Sequence, residues 1–309
     1  VRVRYLTADV FTNKAFGGNP LAVFPDAASI PEALLLPIAR EFNYSETTFV
    51  VSPSDARHAR RFRIFTPGGE IPFAGHPTLG AAHVLATLCE IPLTGETTRI
   101  VVEEAVGPIR VLIEAVEGVP VFGQLSVAKL PEVGPAPPPR ARLAEVLSLE
   151  PGDLREDAWV AEAVSCGLPF LFVPLRDRGA VGRARVRLDA WEAVLRGEWA
   201  HAVFVFSDDP ELPGSHIRAR MFAPGLGVPE DPATGSACVA LGGYLARRDA
   251  RADGTLRWRV EQGFEMGRPS LLDVEVDKRA GAIVDVRVGG QTVIVCDGTI
   301  EVPREADRN

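Results

Sequence analysis

Cysteine is scarce in this chain. Its four residues, Cys89, Cys166, Cys238 and Cys296, lie far apart in 309 positions. None forms a C-x-x-C pair, which argues against zinc patterns and a secreted disulfide framework. The reading left for each is a buried free thiol in a cytoplasmic protein. A cationic excess is also missing: 33 Lys and Arg face 41 Asp and Glu, for a net charge of -8. That balance offers no basic face to nucleic acid or to an anionic membrane. No apolar run approaches the roughly 18 residues of a membrane span. The opening VRVRYLTADVF reads as a strand and lacks a signal peptide's apolar stretch and cleavage site. His58, His83, His201 and His216 show no metal-ligand spacing, and the PGGEIP loop is neither a P-loop nor G-x-G-x-x-G. No metal and no cofactor are therefore expected.

What is present is core material and a repeat. Hydrophobic residues make up 46% and charged residues 24%, an ordinary globular balance, and the length suits two domains of about 150 residues. Phe65-Thr66-Pro67-Gly68 reappears as Phe222-Ala223-Pro224-Gly225, and Gly75-His76 falls on Gly235-Ser236. Gly18-Asn19-Pro20 with LAVF resembles Gly167-Leu168-Pro169 with FLFV; FVVS at 49–52 resembles FVFS at 204–207; RFRIF at 61–65 lines up with RARMF at 218–222. Matches in one order at nearly constant spacing mark a duplicated half. The expected halves are 1–128 and 129–290, separated by the proline-rich PEVGPAPPPRAR at 131–142, which reads as a linker. A last strand at about 291–306 is expected to cross back to the first half's sheet.

Short β-rich runs dominate each half. Residues 77–89 and 236–248 read as helices with no polar stripe, carrying Gly80, Ala81, Ala82, Gly242 and Gly243 for close backbone approach. A helix apolar around most of its girth is enclosed by protein, here by a curved sheet. The fold class expected is α/β (α+β): two pseudo-symmetric halves, each a curved β-sheet or barrel around a central helix. A further helix opens at SIPE, with Ser29 as cap and Glu32 completing a capping box, and Pro37 interrupts it.

Each repeated loop delivers a glycine and a polar residue to a helix mouth: Gly75-His76 and Gly235-Ser236. Such mouths carry unsatisfied N–H groups and partial positive charge, and so bind carboxylates. If the halves pack about a pseudo-twofold axis, the two mouths share one inter-domain pocket.

The segments DVFTNKAFGGNPLAVF, NYSETTFV, FAGHPTLGAAHVL, PEDPATGSACVALGGYL and VEQGFEMGRPS span residues 9–270 in order. Together they resemble the PhzF-like phenazine-biosynthesis isomerase family, whose fold is that of diaminopimelate epimerase and proline racemase. The resemblance implies a cofactor-independent isomerase and a homodimer. It also implies a small carboxylate substrate such as trans-2,3-dihydro-3-hydroxyanthranilate. Glu46 would move a proton between ring carbons on one face, while His76, Asp231 and Ser236 hold the substrate's polar groups. Asn19 would border the pocket. The epimerase and racemase carry a cysteine at each mouth, and this chain has none there, which disfavours a two-thiol racemase. Each residue also has a plainer role open to it. Glu46 could be a solvated strand edge, His76 a satisfied core group, Asp231 a turn residue before Pro232, and Ser236 an N-cap. Two other functions stay open: a racemase or epimerase working without thiols, and a binding protein without turnover.

Overall fold

The structure is a computed structural model that describes residues 1–303. Its elements run β1 (Arg2–Val10), β2 (Asn19–Phe24), α1 (Glu32–Phe42), β3 (Glu46–Val51), β4 (Arg60–Thr66), β5 (Gly69–Ile71), α2 (Gly75–Thr87), β6 (Thr97–Glu104), β7 (Gly107–Val116) and β8 (Val119–Ser126). There follow β9 (Glu132–Val133), α3 (Arg140–Leu147), β10 (Glu162–Ser165), β11 (Pro169–Pro174), α4 (Arg178–Arg183), α5 (Leu188–Val194) and β12 (Ala202–Ser207). The chain ends with β13 (Ile217–Ala223), β14 (Val228–Asp231), α6 (Gly235–Arg248), β15 (Gly254–Gln262), β16 (Ser270–Arg279), β17 (Ala282–Gly290) and β18 (Thr292–Glu301). It divides into two units, Val1–Ala128 with the chain from Gly289 onward, and Lys129–Val288. Residues 304–306, included in the expected last strand, lie outside the described residues.

The two units share one topology. In the first, β1 is antiparallel to β2, β2 parallel to β3, and β3 antiparallel to β4. Strand β4 carries β5 antiparallel and β6 parallel, and β6, β7 and β8 form a meander. In the second, β10, β11, β12, β13, β14, β15 and β16 repeat those relations: β10/β11 antiparallel, β11/β12 parallel, β12/β13 and β13/β14 antiparallel, β13/β15 parallel, β15/β16 antiparallel. Each first strand takes one more antiparallel neighbour, β18 on β1 and β9 on β10. The proline-rich segment holds the two-residue β9 and the start of α3, with residues 134–139 between them in neither helix nor strand.

The central helices are enclosed as their composition requires. Between Gly75 and Ala86 only His83 is less than fully buried, and between Gly235 and Ala246 only Ser236. Gly80 lets α2 lie against β1 and β2: a Cβ there would stand 2.6 Å from Leu21 Cδ2 and 2.7 Å from Val10 Cγ2. Gly242 does the same for α6 against Val274 and Val276 of β16. The other helices form outer layers. Leu34, Leu35 and Ile38 of α1 pack on Phe24, Phe49 and Phe65, while α3, α4 and α5 cover Leu171, Val173, Val203 and Val205.

Three local expectations are corrected. Helix α1 begins at Glu32 with Pro31 at its N-cap and no side-chain cap, so Ser29 does not cap it. Glu32 is instead drawn to Arg63 of β4, 2.7 Å from Nη2, and is not available for a capping box. Pro37 does not interrupt the helix. Its ring is exposed, and buried Leu34, Leu35, Ile38 and Ala39 hold both sides of the lost hydrogen bond. Cys166 and Cys238 are buried, but Cys89 and Cys296 are exposed. Cys89 lies past the end of α2 at φ 59°, and Cys296 is in an exposed run of β18.

A carboxylate just before the end of β6 ties down the β3–β4 connection. Glu103 accepts from Ser54 N at 2.9 Å, Ser54 Oγ at 2.7 Å and Asp55 N at 2.8 Å, and meets His58 Nδ1 at 2.8 Å. Glu261 repeats this one residue before the end of β15, accepting from Glu211 N at 2.9 Å and Leu212 N at 2.6 Å. The Ser54 and Asp55 bonds hold the Glu103 carboxyl down at about 2. Its folded value is depressed, so its contribution is present above about pH 4.5 and is lost as pH falls toward 2. Glu103→Gln is expected to lower the urea midpoint at pH 7 and to lose less than the parent between pH 4.5 and 3. Gly80→Ala should cost about 1–3 kcal/mol by overpacking, read from urea unfolding at pH 7.

Candidate active site

In the first unit the loop between β1 and β2 shapes the approach to α2. Gly18 sits at φ +60°, where a Cβ would strike the Val10 carbonyl oxygen at 2.3 Å, so this turn requires glycine. Asp9 Oδ2 accepts the Phe16 N–H at 2.6 Å, and Phe11 and Thr12 donate to the Gln291 carbonyl. The turn delivers Asn19, wholly buried, to the first position of β2. Glu46 is the first residue of β3 and stands opposite Leu21 in the parallel pair. Gly75 and His76 open α2, preceded by the extended N-cap Ala74.

These elements bring Glu46 and His76 together, with Glu46 Oε2 3.4 Å from His76 Nε2. The His76 side chain is 5% exposed and that of Glu46 17%, so the carboxyl alone reaches toward the surface. His76 also bonds to the backbone of Pro20, which has only a carbonyl to offer, so the imidazole donates. Nε2 makes no hydrogen bond, so the donor is Nδ1 and the neutral ring carries its proton there. Burial pushes the His76 pKa down to about 3, with the Pro20 bond opposing only in part. The ring is neutral across the physiological range, and Nε2 presents a lone pair toward Glu46.

In the second unit Asp231 is the buried last residue of β14, and Gly235 and Ser236 are the first two residues of α6. Thr234, the N-cap, donates its hydroxyl to Asp231 Oδ2 at 2.5 Å. Gln262 at the end of β15 closes this junction. Its Oε1 accepts the Thr234 N–H at 3.1 Å, and its Nε2 donates to the Asp231 carbonyl at 2.7 Å and to Thr234 Oγ1 at 3.0 Å. The turn role open to Asp231 is therefore real. Ser236, one of the substrate-binding candidates, is half-buried and lies inside the helix, so the N-cap role belongs to Thr234. Neither α2 nor α6 has an acidic residue in its first turn, so no side chain of that turn neutralises the positive end.

Cys238 is wholly buried four residues after the N-cap, and burial pushes its thiol well above the ordinary range. It is no acid or base at neutral pH. His83 is half-buried and pushed down to about 4 by desolvation, a structural ring on α2. Among the described residues no group of His, Cys, Asp and Glu is arranged to hold a metal. No described helix is long and apolar enough to cross a membrane.

Sequence reasoning missed two residues, Glu104 and Gln262. Glu104, 5% exposed, ends β6 as Gln262 ends β15. It bonds to Thr78 Oγ1 through Oε1, its Oε2 is buried without a hydrogen bond, and burial pushes its carboxyl up to about 8. The signal was available: Val102-Glu103-Glu104 recurs as Val260-Glu261-Gln262 at the spacing of the repeat.

Two units of one topology, each wrapping strands around an apolar helix, define a diaminopimelate epimerase-like fold. A family profile described as phenazine biosynthesis-like protein matches residues 8–298. An uncharacterized isomerase of Mesorhizobium japonicum is 38% identical over 96% of this chain and 98% of its own length. A trans-2,3-dihydro-3-hydroxyanthranilate isomerase of Pseudomonas fluorescens is 34% identical over 96% and 98%. The crystal structure of a PhzF-family phenazine biosynthesis protein from Bacillus anthracis superposes with a TM-score of 0.87, covering 98% of this chain and 100% of that one at 24% identity. The chain belongs to the PhzF-like family. At the level of the family this is isomerisation by acid–base chemistry on a small carboxylic substrate.

The tautomer can be checked directly. In a ¹⁵N-resolved NMR titration His76 should remain the neutral Nδ1–H form from pH 8 to pH 5. A ring that becomes doubly protonated near pH 6.5 would contradict the assignment.

Proposed function

We propose that this protein is a cofactor-independent isomerase with Glu46 as its acid–base group. It moves a proton between carbons of a small cyclic or unsaturated carboxylic acid, dihydro-hydroxyanthranilate-like. The observation that carries this reading is the Glu46–His76 pair. The Glu46 carboxylate accepts a proton from a substrate carbon. With Nδ1–H committed to Pro20, His76 could take that proton only on Nε2, and burial opposes the imidazolium that would result. The proton therefore stays on Glu46, hydrogen-bonded to the Nε2 lone pair. From there it returns to a second carbon on the same face.

The substrate carboxylate is assigned to helix-mouth N–H groups, Gly75 with His76 or Gly235 with Ser236, which helix geometry leaves without intrahelical acceptors. Asp231 and the Ser236 hydroxyl are assigned to the substrate's amine and hydroxyl, and Asn19 to substrate binding beside Pro20. The trans-2,3-dihydro-3-hydroxyanthranilate isomerase of Pseudomonas fluorescens, similar over nearly the whole of both chains, supports a substrate of that kind. The buried thiol of Cys238 and the Gly-His and Gly-Ser mouths speak against the two-thiol racemase.

Thermal-shift screening of small cyclic amino and carboxylic acids, followed by turnover of any hit in deuterated water, tests the reading. An isomerase changes ultraviolet absorbance as the double bond moves, whereas a racemase exchanges the α-hydrogen and inverts its centre. Glu46→Gln is expected to lose about 10²–10⁴-fold in kcat while the thermal shift by ligand persists. Equal turnover by the parent and Glu46→Gln would overturn the assignment of the base.

A further inference from the structure

Glu104 poses a proton-counting problem. Thr78 Oγ1 lies 2.6 Å from the Ala74 carbonyl oxygen and is also in close contact with Glu104 Oε1. A hydroxyl has one proton and cannot serve two acceptors. If Glu104 were a carboxylate, one of these contacts would set lone pair against lone pair inside the protein. A proton on Glu104 resolves the count: Thr78 donates to Ala74, and Glu104 donates to Thr78.

The second half shows the same junction built from a group that cannot ionise. Gln262 uses one terminal oxygen to accept the N–H of the N-cap Thr234, and its amide nitrogen to donate to Thr234 Oγ1 and the Asp231 carbonyl. Glu104 sits beside the backbone of the N-cap Ala74 and meets the Thr78 hydroxyl of the next turn with Oε1, while its Oε2 is buried without a hydrogen bond. A neutral carboxylic acid has the acceptor and donor that an amide has, whereas a carboxylate has acceptors only.

We infer that Glu104 is a positioning residue that works as a neutral carboxylic acid, clamping the N-cap of α2 and thereby fixing the direction in which Gly75 and His76 are presented. Its catalytic consequence rests on the proposed function; its protonation state does not. Burial supports it, holding the carboxyl at about 8, and no charged side chain contributes to that value. Across β7 it faces Gly107, along α2 its partners are Ala74 and Thr78, and His76 on the same helix is neutral. Its neighbour Glu103 is engaged with Ser54, Asp55 and His58, and Arg60 and Arg61 of β4 stand opposite Val102 and Glu103.

The sign of the pH effect follows. A folded value above the unfolded one near 4.5 means that the native state holds an extra proton between the two. This group's contribution to stability is complete below about pH 4.5 and is lost as pH rises to about 8. Urea unfolding of the parent and Glu104→Gln from pH 5 to 9 tests this. The folding constant of Glu104→Gln relative to the parent should rise about tenfold per pH unit up to near pH 8 and then level. An infrared difference spectrum between parent and variant at pH 6 should show a protonated-carboxyl C=O band that belongs to the parent and disappears at pH 9. Glu104→Ala, which lacks both acceptor and donor, should be less stable than Glu104→Gln at every pH. A constant ratio across the pH range, no protonated-carboxyl band, or equal losses in the Gln and Ala variants would overturn the inference. None of these readouts requires turnover, so a failed search for a substrate leaves them decisive.

Discussion

A helix with no polar face has to be wrapped, and wrapping takes water away from its first turn. Those N–H groups cannot go unpaired without cost, so the surrounding sheet must supply acceptors. In α6 the acceptor for the Thr234 N–H is Gln262 at the end of β15, and in α2 Glu104 at the end of β6 holds the matching place, bonded to Thr78 of the first turn. Both are the last residue of the strand lying parallel to the middle of the sheet, β6 on β4 and β15 on β13. The closed mouth, the glycine that follows it and the side chains gathered there all follow from this one requirement.

The chemistry at the first mouth is governed by neutrality. Burial keeps His76 an uncharged ring, with the Pro20 carbonyl opposing only in part, so it offers a lone pair and no positive charge. A charged imidazolium in its place would hold Glu46 as a carboxylate and resist any gain of a proton. At the second mouth Asp231 and the N-cap are held in a tight lattice by Thr234 and Gln262.

Much of this was legible in the residues. The duplicated Phe-x-Pro-Gly loops and the stripeless helices require two sheet-enclosed helices, and the motif at Glu46 and His76 marks one mouth. What escaped reading has physical causes. Ser29 and Glu32 satisfy a capping pattern, but Arg63 lies far away in sequence and competes for Glu32 only once the sheet has formed. Pro37 is tolerated because it faces solvent while its neighbours are packed. The prolines at 135–139 read as a linker and concealed the two-residue strand just before them. Glu104 was overlooked because a glutamate that ends a strand beside Glu103 looks solvated. Only its counterpart Gln262 in the other half shows that the position is interior.

The pairing of β18 with β1 gives the first unit a split origin. Its first strand waits for a partner synthesised some 290 residues later, and the Val1 nitrogen donates to the Val302 carbonyl at 2.7 Å. On the ribosome the edge of β1 therefore stays bare while everything between is made, and a bare edge is an invitation to mispair. Arg2 and Arg4 on this strand find Glu301 and Asp297 only once β18 has been made. Two cations on such an edge oppose strand-on-strand pairing until β18 covers it.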